Sequence, residues 1–354
     1  MKILYGVQGT GNGHISRARM MAHHFARKNI EVQYLFSGRA AEDYFAMDIF
    51  GDYLVYSGLT FATDNGRISN IKTLRQLQPR QFIHDLHSLD LNPFDVIISD
   101  FEPLTAWAGR LQNKTVIGIG HQYAFAHATV PESGANVLNR LIMRYFAPVT
   151  FCLGLHWNHF NAAIAPPIIN PAERRTAVAE HILVYLPFED QQAVCSALQN
   201  IPNQPFIQYA PQLSDNQVAN ISQRKTSLHG FKQDLCSAKA IICNAGFELI
   251  SESLHLGIPV LAKPVSGQAE QLSNAAALKQ LKLANVMDDF SLPAIEQWLL
   301  NMPTRAQQHY PDVAEAICDW IIQGQWHDNS SMVRQLWDNV GKHNGDAIDD
   351  YKAT

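Results

Sequence analysis

The loop Gly6-Val-Gln-Gly9-Thr-Gly11-Asn-Gly13-His14-Ile-Ser-Arg17 puts a histidine and an arginine one helical turn apart, directly behind closely spaced glycines. A histidine held beside a carboxylate is a competent general base near neutral pH. Glycines at this density let backbone approach another group closely. A second stretch, Asn244-Ala-Gly246-Phe-Glu-Leu-Ile-Ser-Glu252, offers different chemistry. A turn at Gly246 that opens a helix leaves the first N–H groups without intrahelical partners, an anion site that needs no metal. Gln268, Glu270 and Gln271 follow a Gly257-Ile-Pro259 step and stand at the start of another helical pattern.

The elements that must hold these residues alternate. Short apolar strands are predicted at 2–7, 31–36, 53–56, 95–99 and 115–119, with helices near 14–28, 40–48, 71–86 and 103–111. A second series has strands at 181–186, 206–209, 239–243 and 259–262. Its helices fall near 190–198, 231–236, 247–256 and 268–281, and Gly257 stops the third of them. Apolar strands between amphipathic helices make a parallel sheet covered on both faces. Ala165-Pro-Pro-Ile-Ile-Asn-Pro171 fits neither helix nor central strand. The expectation is therefore an α/β protein of two doubly wound, Rossmann-like domains facing across a cleft. Residues 1–164 form the first domain, 165–176 a linker and 177–310 the second. Closing helices are expected near 293–300 and 311–323, and residues 311–354 pack back on the first domain, with a docked helix around Met332, Val333, Leu336, Trp337 and Val340 and a frayed tail from Asn344.

In such a sheet the first strand lies beside the fourth, and ligands gather at the carboxyl ends there. Asp100, at the end of the fourth strand, is then a neighbour of His14, with Glu102 as a rival partner. His14 could also be a capping or packing residue, and Asp100 a strand-end cap. Arg17 could steer an anion or be a solvated helix-face residue. His121, after the fifth strand, reaches the same rim or is an ordinary loop histidine. A dinucleotide reading fails because His14 stands where a third glycine is wanted and Ser37-Gly38 where an acid is wanted. A P-loop fails for lack of Gly-Lys-Ser/Thr.

The block from Asn244 to Ala275 resembles the donor signature of UDP-dependent glycosyltransferases of the GT-B fold, a group that includes natural-product transferases and the lipid-linked muramyl-peptide N-acetylglucosaminyltransferase. Shared features are the glycine turn at Gly246, Glu252 six residues on, Gly257-x-Pro259 and Glu270-Gln271-x-x-Asn274-Ala275. The resemblance implies that Glu252 holds ribose hydroxyls. Glu270, Gln271 and Gln268 would grip the donor sugar, and Asn244 and Gly246 the diphosphate. It also implies that His14 deprotonates the acceptor with Asp100 assisting; Gly11, Gly13, Arg17 and His121, by their place at the same rim, are the candidates for the acceptor side. Two positions depart: Asn244 replaces a frequent histidine, and Phe247-Glu248 a polar pair, so Glu248 must point away from a diphosphate. Gly11-x-Gly13-His14-x-x-Arg17 looks like two GT-B groups, one of microbial transferases and one of nucleotide-sugar hydrolases of pseudaminic-acid synthesis.

The reaction the resemblance implies is metal-independent, inverting transfer from a UDP-linked sugar to a hydroxyl of a sugar, lipid-linked or small-molecule acceptor, with no cofactor. The alternatives are a hydrolase on the same fold, or a nucleotide-sugar sensor or inactive partner. At 354 residues and 47% apolar, the chain can fill two cores. A formal charge of -5 argues against general nucleic-acid binding. Five scattered cysteines without a C-x-x-C pair, and a strand pattern at the outset without a leader, fit a reducing cytoplasm. His84/His87 and His156/His159 have metal-pair spacing but no third ligand, so packing or surface roles are favoured. The stretch 137–146, with Arg140 and Arg144, could touch an anionic membrane or be a partly buried helix.

Overall fold

A computed structural model describes residues 1–59, 63–64, 67–68, 78–134, 145–304 and 307–342. The first sheet is built from β1 (Lys2–Gln8), β2 (Glu31–Ser37), β3 (Leu54–Tyr56), β4 (Val96–Asp100), β5 (Val116–Gly120), β6 (Phe151–Leu155) and β7 (Ile164–Ala165). Its order is β3-β2-β1-β4-β5-β6-β7, and each neighbouring pair is parallel. The central strands β1, β4 and β5 are almost wholly buried, as a sheet covered on both faces requires. Helices α1 (Asn12–Arg27), α2 (Pro79–Ser88) and α3 (Pro103–Leu111) provide the cover.

The second sheet contains β8 (Ile182–Tyr185), β9 (Phe206–Ala210), β10 (Asn216–Val218), β11 (Ile221–Lys225), β12 (Ala240–Asn244), β13 (Val260–Lys263) and β14 (Asn285–Val286), in the order β10-β11-β9-β8-β12-β13-β14. Only β10 runs antiparallel. Its helices are α4 (Gln191–Gln199), α5 (Leu228–Ser237), α6 (Phe247–His255), α7 (Ala269–Leu281) and α8 (Leu292–Leu300). Gly257 follows α6 with φ 68°, the left-handed value that ends a helix. Two parallel-dominated α/β sheets of this kind are the GT-B architecture.

The last helices, α9 (Val313–Gln323) and α10 (Ser330–Asn339), cross back to the first domain. His24 on α1 meets Asp312 at 3.1 Å, and the Trp337 indole donates to the Ile164 carbonyl at 2.7 Å. One buried apolar cluster runs from β1 and α1 through α6 to α9, so the two domains share a core.

Three expectations change. The helix expected at 40–48 is instead two 3-10 turns, Ala41–Asp43 and Asp48–Phe50. Arg19 takes the carbonyls of Phe45 and Ala46, and Ala46 has φ 52°, so no i to i+4 ladder forms there. Ala165 pairs with Leu155 in the sheet, so the linker starts one residue later. The edge pair β10–β11 and the strands β6, β7 and β14 were not anticipated. Residues 71–77, 135–144 and the tail from 343 lie outside the described residues, and with them the expected membrane-contacting stretch. Among the described residues no helix is long and apolar enough to cross a membrane.

Candidate active site

Strands β1 and β4 end side by side, with Val7 opposite Asp100. Helix α1 starts above that edge. His14 Nδ1 lies 2.7 Å from Asp100 Oδ1. Arg17 donates from Nε to Asp100 Oδ2 at 2.8 Å and from Nη2 to Oδ1 at 2.6 Å. Its Nη1 reaches Glu248 of the second domain. Burial alone would push the Asp100 carboxyl up, but Arg17 and His14 outweigh it and hold it below its ordinary value. Asp100 is thus an anion in contact with His14 Nδ1, which also lies 3.0 Å from Arg17 Nη2. His14 remains 15% exposed while Asp100 is fully enclosed. Glu102 does not compete. Its carboxylate caps α3, accepting from Leu104 N–H, Thr105 N–H, the Thr105 hydroxyl and the Ser37 hydroxyl at 2.6–2.8 Å.

The second domain closes on this centre. Gln122 Nε2 donates to Glu270 Oε2 at 3.1 Å and stands 3.5 Å from His14 Nε2. His14, Arg17, Asp100, Glu248 and Glu270 therefore form one network through Gln122. His121 does not line an open cleft. It is buried, stacked flat on Phe247 with ring centroids 4.0 Å apart, and its Nε2 is 2.6 Å from Asn274 Oδ1. Burial lowers its pKa, so the neutral ring belongs there. His156, of the pair His156/His159, is buried beside it and turns Nδ1 to the Trp157 N–H. Among the described residues no group of three or more potential ligands surrounds a metal position.

Asn244 ends β12. Its amide donates to the Lys263 carbonyl at 3.1 Å and to Glu189 Oε1 at 3.3 Å, which fixes its orientation. Lys263 Nζ holds the same Glu189 oxygen at 2.7 Å. Gly246 caps α6, and among the described residues a Cβ there would meet nothing within 4 Å. Glu248, in the first turn, points to Arg17 and so is neutralised across the gap. Glu252 sits in a separate cluster. Lys232 Nζ lies 2.7 Å from it and 3.0 Å from Glu173 of the linker. Burial raises the Glu252 carboxyl and Lys232 opposes the rise. Gln271 Oε1 accepts the Val265 N–H at 2.9 Å, which ties down the loop before α7. Gln268 is the N-cap of α7, and its Oε1 is buried without a partner among the described residues.

A family model described as glycosyl transferase family 1 matches residues 1–303, most of the chain. The chain belongs to this family. Solved transferases share its fold. MurG of Acinetobacter baumannii is 15% identical, with 91% of this chain and 99% of that one covered at a TM-score of 0.57. UGT89C1 of Arabidopsis thaliana, solved with UDP, is 12% identical over 95% and 98% at 0.55. The spinosyn rhamnosyltransferase SpnG, solved with thymidine diphosphate, is 13% identical over 95% and 100% at 0.55. No curated protein matches the sequence.

In this glycosyltransferase several site residues escaped the sequence reading. Gln122 is adjacent to His121 and shares its signal, a polar residue just past a buried strand at the carboxyl edge. Glu189 follows β8 in the same way. Lys232 and Glu173 carried no local signal, because their role depends on where α5 and the linker meet α6.

Proposed function

We propose that the protein transfers a glycosyl group from a UDP-linked sugar to an acceptor hydroxyl, with inversion and without a metal. His14 Nε2 takes the hydroxyl proton, and the acceptor oxygen forms a bond to the anomeric carbon. The bond from that carbon to the diphosphate breaks, and the electron pair leaves on the diphosphate oxygen. The N–H groups at the start of α6 stabilise that charge. Glu252, paired with Lys232, accepts from the ribose hydroxyls, while Glu270 and Gln268 hold donor-sugar hydroxyls. The single observation that carries the reading is the His14–Asp100 contact of 2.7 Å, with Nε2 3.5 Å from Gln122, which in turn reaches Glu270 of the donor domain. Structural neighbours solved with UDP and with thymidine diphosphate make those the nucleotides to try first. The acceptor is a hydroxyl-bearing sugar, lipid-linked sugar or small molecule.

The test is nucleotide release from a panel of UDP- and thymidine-diphosphate-sugars, with and without magnesium and candidate acceptors. Acceptor-dependent release that ignores magnesium is expected. His14→Ala should lower turnover about 10²–10⁴-fold while UDP affinity is kept. Full turnover in that variant removes His14 as the base, and rapid release without any acceptor replaces transfer by hydrolysis.

A further inference from the structure

We propose that Arg19 and Arg39 form an anion site beside the Gly9–Gly11 loop, on the face of the first domain that looks across to α6, for a group of phosphate chemistry. Arg39 lies over that loop. Its Nε donates to the Gly9 carbonyl, and Nη1 and Nη2 each donate to Asn12 Oδ1 at 3.1 Å. The Tyr44 ring lies 5.1 Å from its guanidinium. Arg19 donates to the carbonyls of Phe45 at 2.9 Å and Ala46 at 3.2 Å. All of these acceptors are neutral. Two residues away, Arg17 has both Asp100 and Glu248. Arg19 and Arg39 make no ion pair among the described residues.

Both arginines remain cations, although burial draws their pKa down, that of Arg19 to about 10 with Arg39 adding repulsion. Glu252 acts on Arg19, and Asp43 on Arg39, only through space. Like charges gathered in a partly dry place against neutral acceptors are costly, and an anion offsets that cost. Guanidinium forks suit the oxygens of phosphate. The place is set by Asn12, whose amide also reaches the Tyr185 hydroxyl at 3.5 Å. Tyr185 pairs with Cys243, next to the Asn244–Gly246 turn. The site therefore faces the donor domain, where either the diphosphate of the donor or an anionic group of the acceptor arrives.

The full-length protein, Arg39→Lys and Arg19→Gln/Arg39→Gln would be compared by calorimetry with inorganic pyrophosphate and with UDP at low salt. Arg39→Lys keeps the charge and loses the fork, and serves if the double variant does not fold. We expect pyrophosphate to bind the parent and to bind each variant about tenfold more weakly, the loss of one charge-assisted hydrogen bond. An equal loss for UDP means that the site grips the donor diphosphate. Unchanged UDP affinity, with pyrophosphate still binding the UDP-saturated parent but not the variants, means that it takes the acceptor's anion. The proposal falls if pyrophosphate and UDP bind the variants as they bind the parent, or if the parent binds neither. Failure with UDP alone counts against the proposed donor and leaves the pyrophosphate comparison to decide the site.

Discussion

Helices α1 and α6 begin alike, each behind a strand and a glycine turn, yet the two turns face different surroundings. Their N-caps, Gly11 and Gly246, have extended backbone with φ -119° and -75°, so neither needs glycine for its own conformation. A methyl at Gly13 would come within 2.8 Å of Glu248 Cγ, whereas one at Gly246 would meet none of the described residues within 4 Å. Gly13 is therefore a packing glycine that lets the second domain dock, and Gly246 borders open space over a helix N-terminus. Charge divides the same way. The first turn of α1 has no acid, while α6 carries Glu248 and spends it on Arg17 of α1. One local motif thus presents a base on one side of the cleft. On the other it leaves a helix end whose own acid is already engaged.

The strongest way to break this contrast is to remove Arg17. Arg17→Met leaves Asp100 and Glu248 without their cation, and loss of one partner of a buried pair costs about 3–5 kcal/mol. Urea unfolding should show it. A double-mutant cycle with Glu248→Gln should show strong coupling. Additive effects would mean that the Arg17–Glu248 contact adds nothing to the docking of the two domains.

Gly13→Ala comes next. The added methyl must displace Glu248 or the start of α6, an overpacking cost of about 1–3 kcal/mol. The loss should shrink in a Glu248→Ala background, where the Cγ it meets is gone. An equal loss in both backgrounds would place the strain elsewhere.

These positions show what sequence can and cannot disclose. Alternation of apolar strands and helices made both sheets legible, and the β1–β4 pairing follows from the topology of a doubly wound sheet. That placed His14 beside Asp100. The start of α3 and both ends of α6 were legible because Pro103, Gly246 and Gly257 are local signals. The partners of Glu248 and Glu252 were not. Arg17, Lys232 and Glu173 lie on other elements: the docking of the domains brings Arg17 to Glu248, and the packing of α5 and the linker against α6 brings Lys232 and Glu173 to Glu252. The turns at 41–50 were misread as a helix because Arg19, far off in sequence, takes the carbonyls a helix would use.

The far end of α6 responds to acid. His255 is buried, and burial first, then His309 and Arg174, draw its pKa down to about 4. The folded protein keeps this ring neutral, while the unfolded chain binds the proton below about 6.5. Its contribution is fully present above that value and is lost as the pH falls toward about 4. Between pH 7 and 5 the loss is about 2 kcal/mol. His255→Phe should flatten the dependence of the urea midpoint on pH over that window. An unchanged slope would assign the acid sensitivity to other buried histidines such as His121 and His156, whose pKa values burial also lowers.

Gly246→Ala tests the open side of the comparison and should be the gentlest for the fold. Its backbone suits alanine and the methyl meets no neighbour, so stability should stay within about 1 kcal/mol of the parent. A ligand that brings its diphosphate against the N–H groups of α6 would meet that methyl. Affinity for UDP, measured by calorimetry, should then fall about tenfold, equivalent to about 1.4 kcal/mol. The sign of the contrast with Gly13→Ala is what matters: one substitution loosens the protein and the other loosens only its ligand. If Gly246→Ala binds UDP as the parent does, the diphosphate does not approach this helix end closely. The role of Gly246 would then lie in the turn alone.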